Sequence, residues 1–128
     1  MNPISYIDDQ TFLIFECFIE HKNSHRSWLA LDTGSTLTII SSEVLLKIGF
    51  LKNEMKDLVT FGDASQDHIV PRVVVPSFSM GEATVTDLEV LAYTLPEEHG
   101  IDGVIGLNFM RSFNRVILDF QHSVLHLE

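Results

Sequence analysis

One short stretch carries residue types that can do chemistry together: Asp32-Thr33-Gly34-Ser35. The apolar run Trp28 to Leu31 leads into it, and a second, Leu37 to Ile40, leaves it. A carboxylate delivered between two apolar strands is costly to bury unless it is hydrogen-bonded or shares a proton. Gly34 lets backbone N–H groups approach that carboxylate, while Thr33 and Ser35 supply hydroxyls to orient it. The same spacing allows an ordinary alternative, a β-turn in which Asp32 caps its own backbone. Hydrolysis of an amide by carboxylates needs two of them around one water. One is ionised and takes a proton, and the other is protonated and polarises the carbonyl. The chain holds one Asp-Thr-Gly and no second copy; Asp102-Gly103 lacks the intervening threonine and is no substitute.

The elements that must position this turn read as short and β-rich. From Thr11 to Glu20, Leu13, Phe15, Cys17 and Ile19 share one face of a strand. The polar segment His21 to Ser27 reads as a hairpin loop. Ser41 and Ser42 are good N-caps for a short helix through Glu43 to Ile48, which Gly49 stops. Leu58 to Pro71 places β-prone arms around a small polar centre, Gly62 to Gln66, the pattern of a projecting hairpin. Arg72 to Phe78, Thr84 to Tyr93 and Arg115 to Leu127 supply further strands, with turns at 80–82 and 121–123. Pro71 and Pro76 place their segments at strand ends or sheet edges. Val104-Ile105-Gly106 lies between glycines, as a backbone passing close to something else would, and a short helix is expected over Leu107 to Phe113.

Bulk properties exclude several classes. With 128 residues and 45% hydrophobic content the chain can bury one real core. Its mean hydropathy is +0.19, that of a compact chain and not a disordered one. A net charge of −10 argues against nucleic acid or an anionic membrane as partner. No run is long enough to span a membrane, and the N-terminus lacks the pattern of a signal peptide, so a soluble chain is expected. The single Cys17 excludes an intrachain disulfide, reads as a buried thiol and leaves the compartment open, leaning to the cytosol. Six scattered histidines make no metal-binding pair, so no metal is expected.

Together, Leu31-Asp32-Thr33-Gly34-Ser35, the small-residue hairpin and Ile101-Asp102-Gly103-Val104-Ile105-Gly106-Leu107 resemble the aspartic proteases, and the single-lobe retropepsin-like branch fits best. The resemblance spans roughly Phe12 to Leu127. It implies an all-β, closed, barrel-like domain over residues 11–128 with one or two short helices. Residues 1–10 are then a flexible lead-in or an interface strand, and a sheet between two chains is expected from the N-terminal residues and Val124 to Leu127. The activity implied is aspartic endopeptidase cleavage of extended polypeptides, without metal or organic cofactor. The alternative is a weak or inactive dimerisation or peptide-binding module.

With one acid per chain, an enzyme needs the second Asp32 from a second copy across a two-fold axis, hence a homodimer. The two acids would share one proton and titrate as a unit, as in the established aspartic-protease dyads. By resemblance, Thr33 locks the two turns together, Gly34 brings N–H groups to the carboxylates, and Ser35 hydrogen-bonds the outer oxygen of Asp32. Gly62, Asp63, Ala64, Ser65 and Gln66 form a flap over the substrate, and Val104, Ile105 and Gly106 are the structural apolar-apolar-Gly motif. Leu37, Val74 and Ile105 are candidate pocket residues. Viral members pair an Asp and an Arg at positions held here by Thr36 and Leu107.

Overall fold

The computed structural model describes residues 1–62 and 65–128. The described strands are β1 (Ile4–Ser5), β2 (Ile7–Asp8), β3 (Leu13–Glu20), β4 (Ser24–Leu31), β5 (Thr38–Ile40) and β6 (Leu58–Gly62). They continue with β7 (Asp67–Met80), β8 (Ala83–Ala92), β9 (Gly103–Ile105), β10 (Val116–Asp119) and β11 (Val124–Leu127). Two short helices, α1 (Ser42–Lys47) and α2 (Leu107–Met110), complete an otherwise all-β chain. No described helix is long and apolar enough to cross a membrane.

Strand pairing closes on itself. β3 pairs with β4, β4 with β9, β9 with β5, β5 with β8 and β8 with β7, and the far half of β7 returns to β3. The result is the barrel-like ring expected of the family. Alternation along β3 sends Phe15, Cys17 and Ile19 inward, where Phe78, Phe109, Leu29, Ile40 and Leu45 meet them with no exposed surface. Burying each such side chain is worth about 1.5–3 kcal/mol. A smaller apolar cluster of Ala30, Ile39, Val70, Leu91 and Val104 lies apart from this core, beneath the hairpin of β6 and β7.

Several local expectations are corrected. The loop after β3 is only His21 to Asn23, because Ser24 to Ser27 already pair with Cys17 to Glu20. Pro71 and Pro76 lie inside β7, not at its ends. Pro71 faces Leu58 of β6; Pro76 falls where the ladder to β8 skips a pair, between Val75↔Leu88 and Ser77↔Thr86, with Asp87 at φ +53°. α2 stops at Met110, and Phe113 lies beyond it. Ser41 is the N-cap of α1, but its hydroxyl makes no cap bond; its N–H instead donates to the Asp102 carbonyl at 2.8 Å.

Residues 1–10 form β1 against the chain's own β11 and β2 against β3, with Ile4 and Tyr6 buried. β11 is flanked on one side by β1 and on the other by β10. β10 pairs with all of β11, whereas β1 reaches only Val124 and Leu125 on the other edge.

Candidate active site

β4 carries the chain to Leu31, and the turn that follows is pinned to β9 by the Asp32 N–H, which donates to the Ile105 carbonyl at 3.0 Å. The Ser35 N–H closes the turn on the Asp32 carbonyl at 3.2 Å. Inside it, the Gly34 N–H donates to Asp32 Oδ1 at 2.9 Å. Helix α2 grips the outgoing arm. Leu107 and Asn108 donate their N–H groups to the carbonyls of Ser35 (2.8 Å) and Thr36 (3.1 Å), which satisfies two donors left open at a helix start. The positions that hold an ion pair in viral relatives, Thr36 and Leu107, thus belong to two neighbouring backbone bonds.

Beneath the turn sits a polar clasp that local sequence reasoning missed. Thr38, fully buried, donates its hydroxyl to Asn108 Oδ1 at 2.9 Å and accepts the Gly106 N–H at 3.1 Å. The Thr38 N–H also donates to Asn108 Oδ1 at 2.9 Å, and Asn108 Nδ2 donates to the Glu89 carbonyl at 2.7 Å. One threonine and one asparagine thereby join β5, β9, α2 and β8. The signal available was a threonine inside the apolar run Leu37 to Ile40.

The glycines of the apolar-apolar-Gly segment are set by close approach. A Cβ on Gly103 would lie 1.9 Å from the Ile39 carbonyl oxygen, and one on Gly106 would lie 2.5 Å from the Leu37 carbonyl group. Val104 and Ile105 alternate, Val104 toward the smaller cluster and Ile105 into the main core. Asp102 caps the incoming strand: its Oδ2 accepts the Trp28 N–H at 2.8 Å.

Two expectations at the turn are revised. Asp32, Thr33 and Gly34 are exposed in the single chain, so the carboxylate is not buried by its apolar flanks. The Ser35 hydroxyl donates to the Leu37 carbonyl at 2.6 Å and not to Asp32, because the chain doubles back and leaves that carbonyl closer.

A cleft of about 980 Å³ opens beside the turn. Asp32, Gly34, Ser35 and Thr36 form one side, and Leu37, Ile39, Leu91 and Val104 form an apolar floor. Val59, Phe61 and Gly62 of the β6–β7 hairpin face them. Beyond Val70 this hairpin pairs only with itself and projects as the spacing predicts. Phe61, His68 and Tyr93 form a ring trio, with centroids 4.9–5.3 Å apart, that ties the hairpin to the end of β8. Ser65 is a bend residue that leads through Gln66 into β7, whereas Asp63 and Ala64 lie outside the described residues. Of the candidate pocket residues only Leu37 lines the cleft. Val74 points outward from β7, half exposed, and Ile105 points into the core.

Elsewhere, burial pushes the Cys17 thiol well above its ordinary range, so it is inert as a nucleophile. Asp119 is held below the ordinary carboxylate range, first by its side-chain hydrogen bond with His122, and Asp9 by the N–H groups of Phe12 and Thr11. Among the described residues no group of three or more His, Cys, Asp or Glu could hold a metal ion.

With this geometry the fold is retropepsin-like. The chain matches the aspartyl protease family model over residues 20–109, and it belongs to that family. It is similar in structure to a retropepsin-like aspartic protease from Rickettsia conorii, with a TM-score of 0.70 and 14% identity, covering 97% of this chain and 87% of that one. It is also similar to the retroviral protease-like domain of Ddi1 from Leishmania major, with a TM-score of 0.62 and 15% identity, covering 92% and 89%. No curated protein sequence matches the chain significantly.

Proposed function

We propose that this chain is an aspartic endopeptidase that works as a homodimer, each copy contributing one Asp32 to a water held between them. The observation that carries the reading is the Asp32 turn itself. Its carboxylate is anchored by the Gly34 N–H at 2.9 Å, left exposed, and set at the mouth of a cleft roofed by a projecting hairpin. An isolated surface carboxylate activates no water for amide attack; a symmetry mate would add the second acid and bury both.

In the dimer the pair carries one proton, since two adjacent anions are costly. The ionised member takes a proton from the water as it attacks the scissile carbonyl, and the protonated member donates to the carbonyl oxygen. The substrate lies extended in the cleft, pairing with the hairpin as an added strand. Asp32, Thr33 and Gly34 meet their counterparts, the β6–β7 hairpin closes over the peptide, and apolar side chains fill the floor around Ile39 and Val104.

The test is cleavage of unfolded protein at about pH 4–6, the range in which an aspartic dyad holds one shared proton. Wild-type chain is expected to cleave, with specific activity falling on dilution through the dimer dissociation constant, and Asp32→Asn to be inactive. A monomer that keeps full activity at high dilution refutes the shared site, and activity persisting in Asp32→Asn refutes the assignment of the acid.

One observation favours a second reading, a peptide-binding or dimerisation module with little turnover. The Ser35 hydroxyl is committed to the Leu37 carbonyl and gives Asp32 no support. Peptide binding without cleavage by the wild-type dimer would decide for that reading.

A further inference from the structure

We infer that Arg72 makes the far end of the cleft a subsite for an acidic side chain of the bound peptide. The inference rests on the reading of the cleft as a peptide site.

Strand register places Arg72 on the cleft floor. Ala30 is paired with Val104, Val104 with Ile39, Ile39 with Leu91, and Leu91 with Arg72. Cross-strand partners share a face of the sheet. The row therefore runs from β4, the strand that ends beside Asp32, through four apolar residues to one guanidinium. Among the described residues lining the cleft, Arg72 is the sole lysine or arginine.

Arg72 is only partly engaged. Its Nε donates to Asp57 Oδ2 at 2.9 Å, and its N–H donates to the Asp57 carbonyl at 2.7 Å. Among the described residues its Nη groups make no hydrogen bond that would occupy the fork. The ion pair lies in solvent, with the two side chains 39% and 58% exposed, so it binds the guanidinium weakly. A guanidinium presents several N–H donors in a planar fork that matches a carboxylate. With Nε taken, the remaining N–H groups can still donate to a carboxylate of the peptide.

Position follows from strand spacing. Arg72 lies three strands beyond Val104 and four beyond Ala30, about 14 and 19 Å along the floor at roughly 4.8 Å per strand. An extended peptide advances about 3.4 Å per residue, so the acidic residue sits roughly four to six positions from the scissile bond. The protein's net charge of −10 would disfavour acidic residues at every position alike. A preference for acid at a single position is what a local cation adds.

The experiment uses the 128-residue chain carrying Asp32→Asn, so that peptides are bound and not consumed. Peptides identical except for Glu or Gln at one position in turn are titrated at about pH 6, where Glu is ionised. One position is expected to bind about three- to tenfold tighter with Glu, as for a partly exposed charge-assisted hydrogen bond. Adding Arg72→Gln removes that preference, whereas adding Asp57→Asn, which frees the guanidinium, increases it. If the pair merely clips the base of the hairpin, the two variants weaken all peptides together, and the inference is overturned. It is also overturned if no position prefers Glu, if the preference survives Arg72→Gln, or if no peptide binds. Wild-type chain is assayed for cleavage in parallel. An Arg72-dependent preference without cleavage removes the endopeptidase reading alone, and cleavage without the preference removes the subsite alone.

Discussion

Thr38→Val isolates the polar clasp beneath the Asp32 turn. Valine nearly matches threonine in volume, so no cavity term enters, and β-branched character is kept for the strand. What disappears is the hydroxyl that donates to Asn108 Oδ1 and accepts the Gly106 N–H, at a site with no solvent exposure. Losing the bond costs about 0.5–1.5 kcal/mol, and leaving a buried N–H without an acceptor costs about 1–3 kcal/mol more. A destabilisation of about 2–4 kcal/mol is therefore expected, a large part of the roughly 5–15 kcal/mol that holds a typical domain. Urea unfolding at one fixed protein concentration measures it, because self-association would otherwise shift the midpoint. Thr38→Ser, which keeps the hydroxyl, should lose much less. Asn108→Leu combined with Thr38→Val should show a coupling of about 1 kcal/mol or more, since both side chains share the same bonds. A wild-type midpoint and slope for Thr38→Val, or strict additivity with Asn108→Leu, would show that the clasp contributes nothing to holding the turn.

Three further outcomes follow from the same geometry. Gly106→Ala forces a Cβ to 2.5 Å from the Leu37 carbonyl group, so it should unfold the chain or shift the turn, read as loss of the cooperative thermal transition or of activity; a native-like transition with full activity refutes the packing. Asp119 has its folded pKa depressed, chiefly by His122, so its contribution to stability is complete above the ordinary value of 3.8 and fades as pH falls through the lower folded value. His122→Ala should raise the Asp119 titration midpoint in carboxyl NMR, and an unchanged midpoint rejects that cause. Cys17, buried and with its thiol pKa raised, should resist iodoacetamide in the native chain and react on unfolding; rapid native labelling contradicts its placement.

What could be read from sequence is what neighbours along the chain decide. The β3 face of Phe15, Cys17 and Ile19 follows from period-two alternation, and the Gly34 N–H bond to Asp32 needs only two residues' separation. The clasp is different in kind. Thr38 and Asn108 are 70 residues apart, and nothing local tells a buried threonine that its partner waits at the start of a helix. The strand-end placement of Pro76 is corrected because that proline falls at a skipped pair of the ladder inside β7, a fact set by β8 and its Asp87. The cleft wall was misassigned for a related reason. Ile105 has the right composition but its parity on β9 turns it into the core, while Val74 shares the face of Arg72 and lies two residues further along β7, past the cleft; both facts depend on register across the ring.

The exposure of Asp32 carries the most weight. Its flanks Ala30, Ile39 and Ile40 are buried, and from them a buried acid is the natural expectation. Burial of flanks, however, fixes only where strands go, and a turn between two buried strands can protrude. Here it does, while holding its carboxylate on a backbone N–H and its outgoing arm on the start of α2. A turn braced on both sides yet open to solvent has its geometry supplied by one chain but no low-dielectric environment. Under the proposed reading, the second copy supplies that environment together with the second acid. Pairing should therefore change the titration of Asp32 itself. Carboxyl NMR across a dilution series should show two separated steps once the two acids meet in the dimer. A titration of Asp32 independent of concentration across the dimer transition would mean that the two acids never meet.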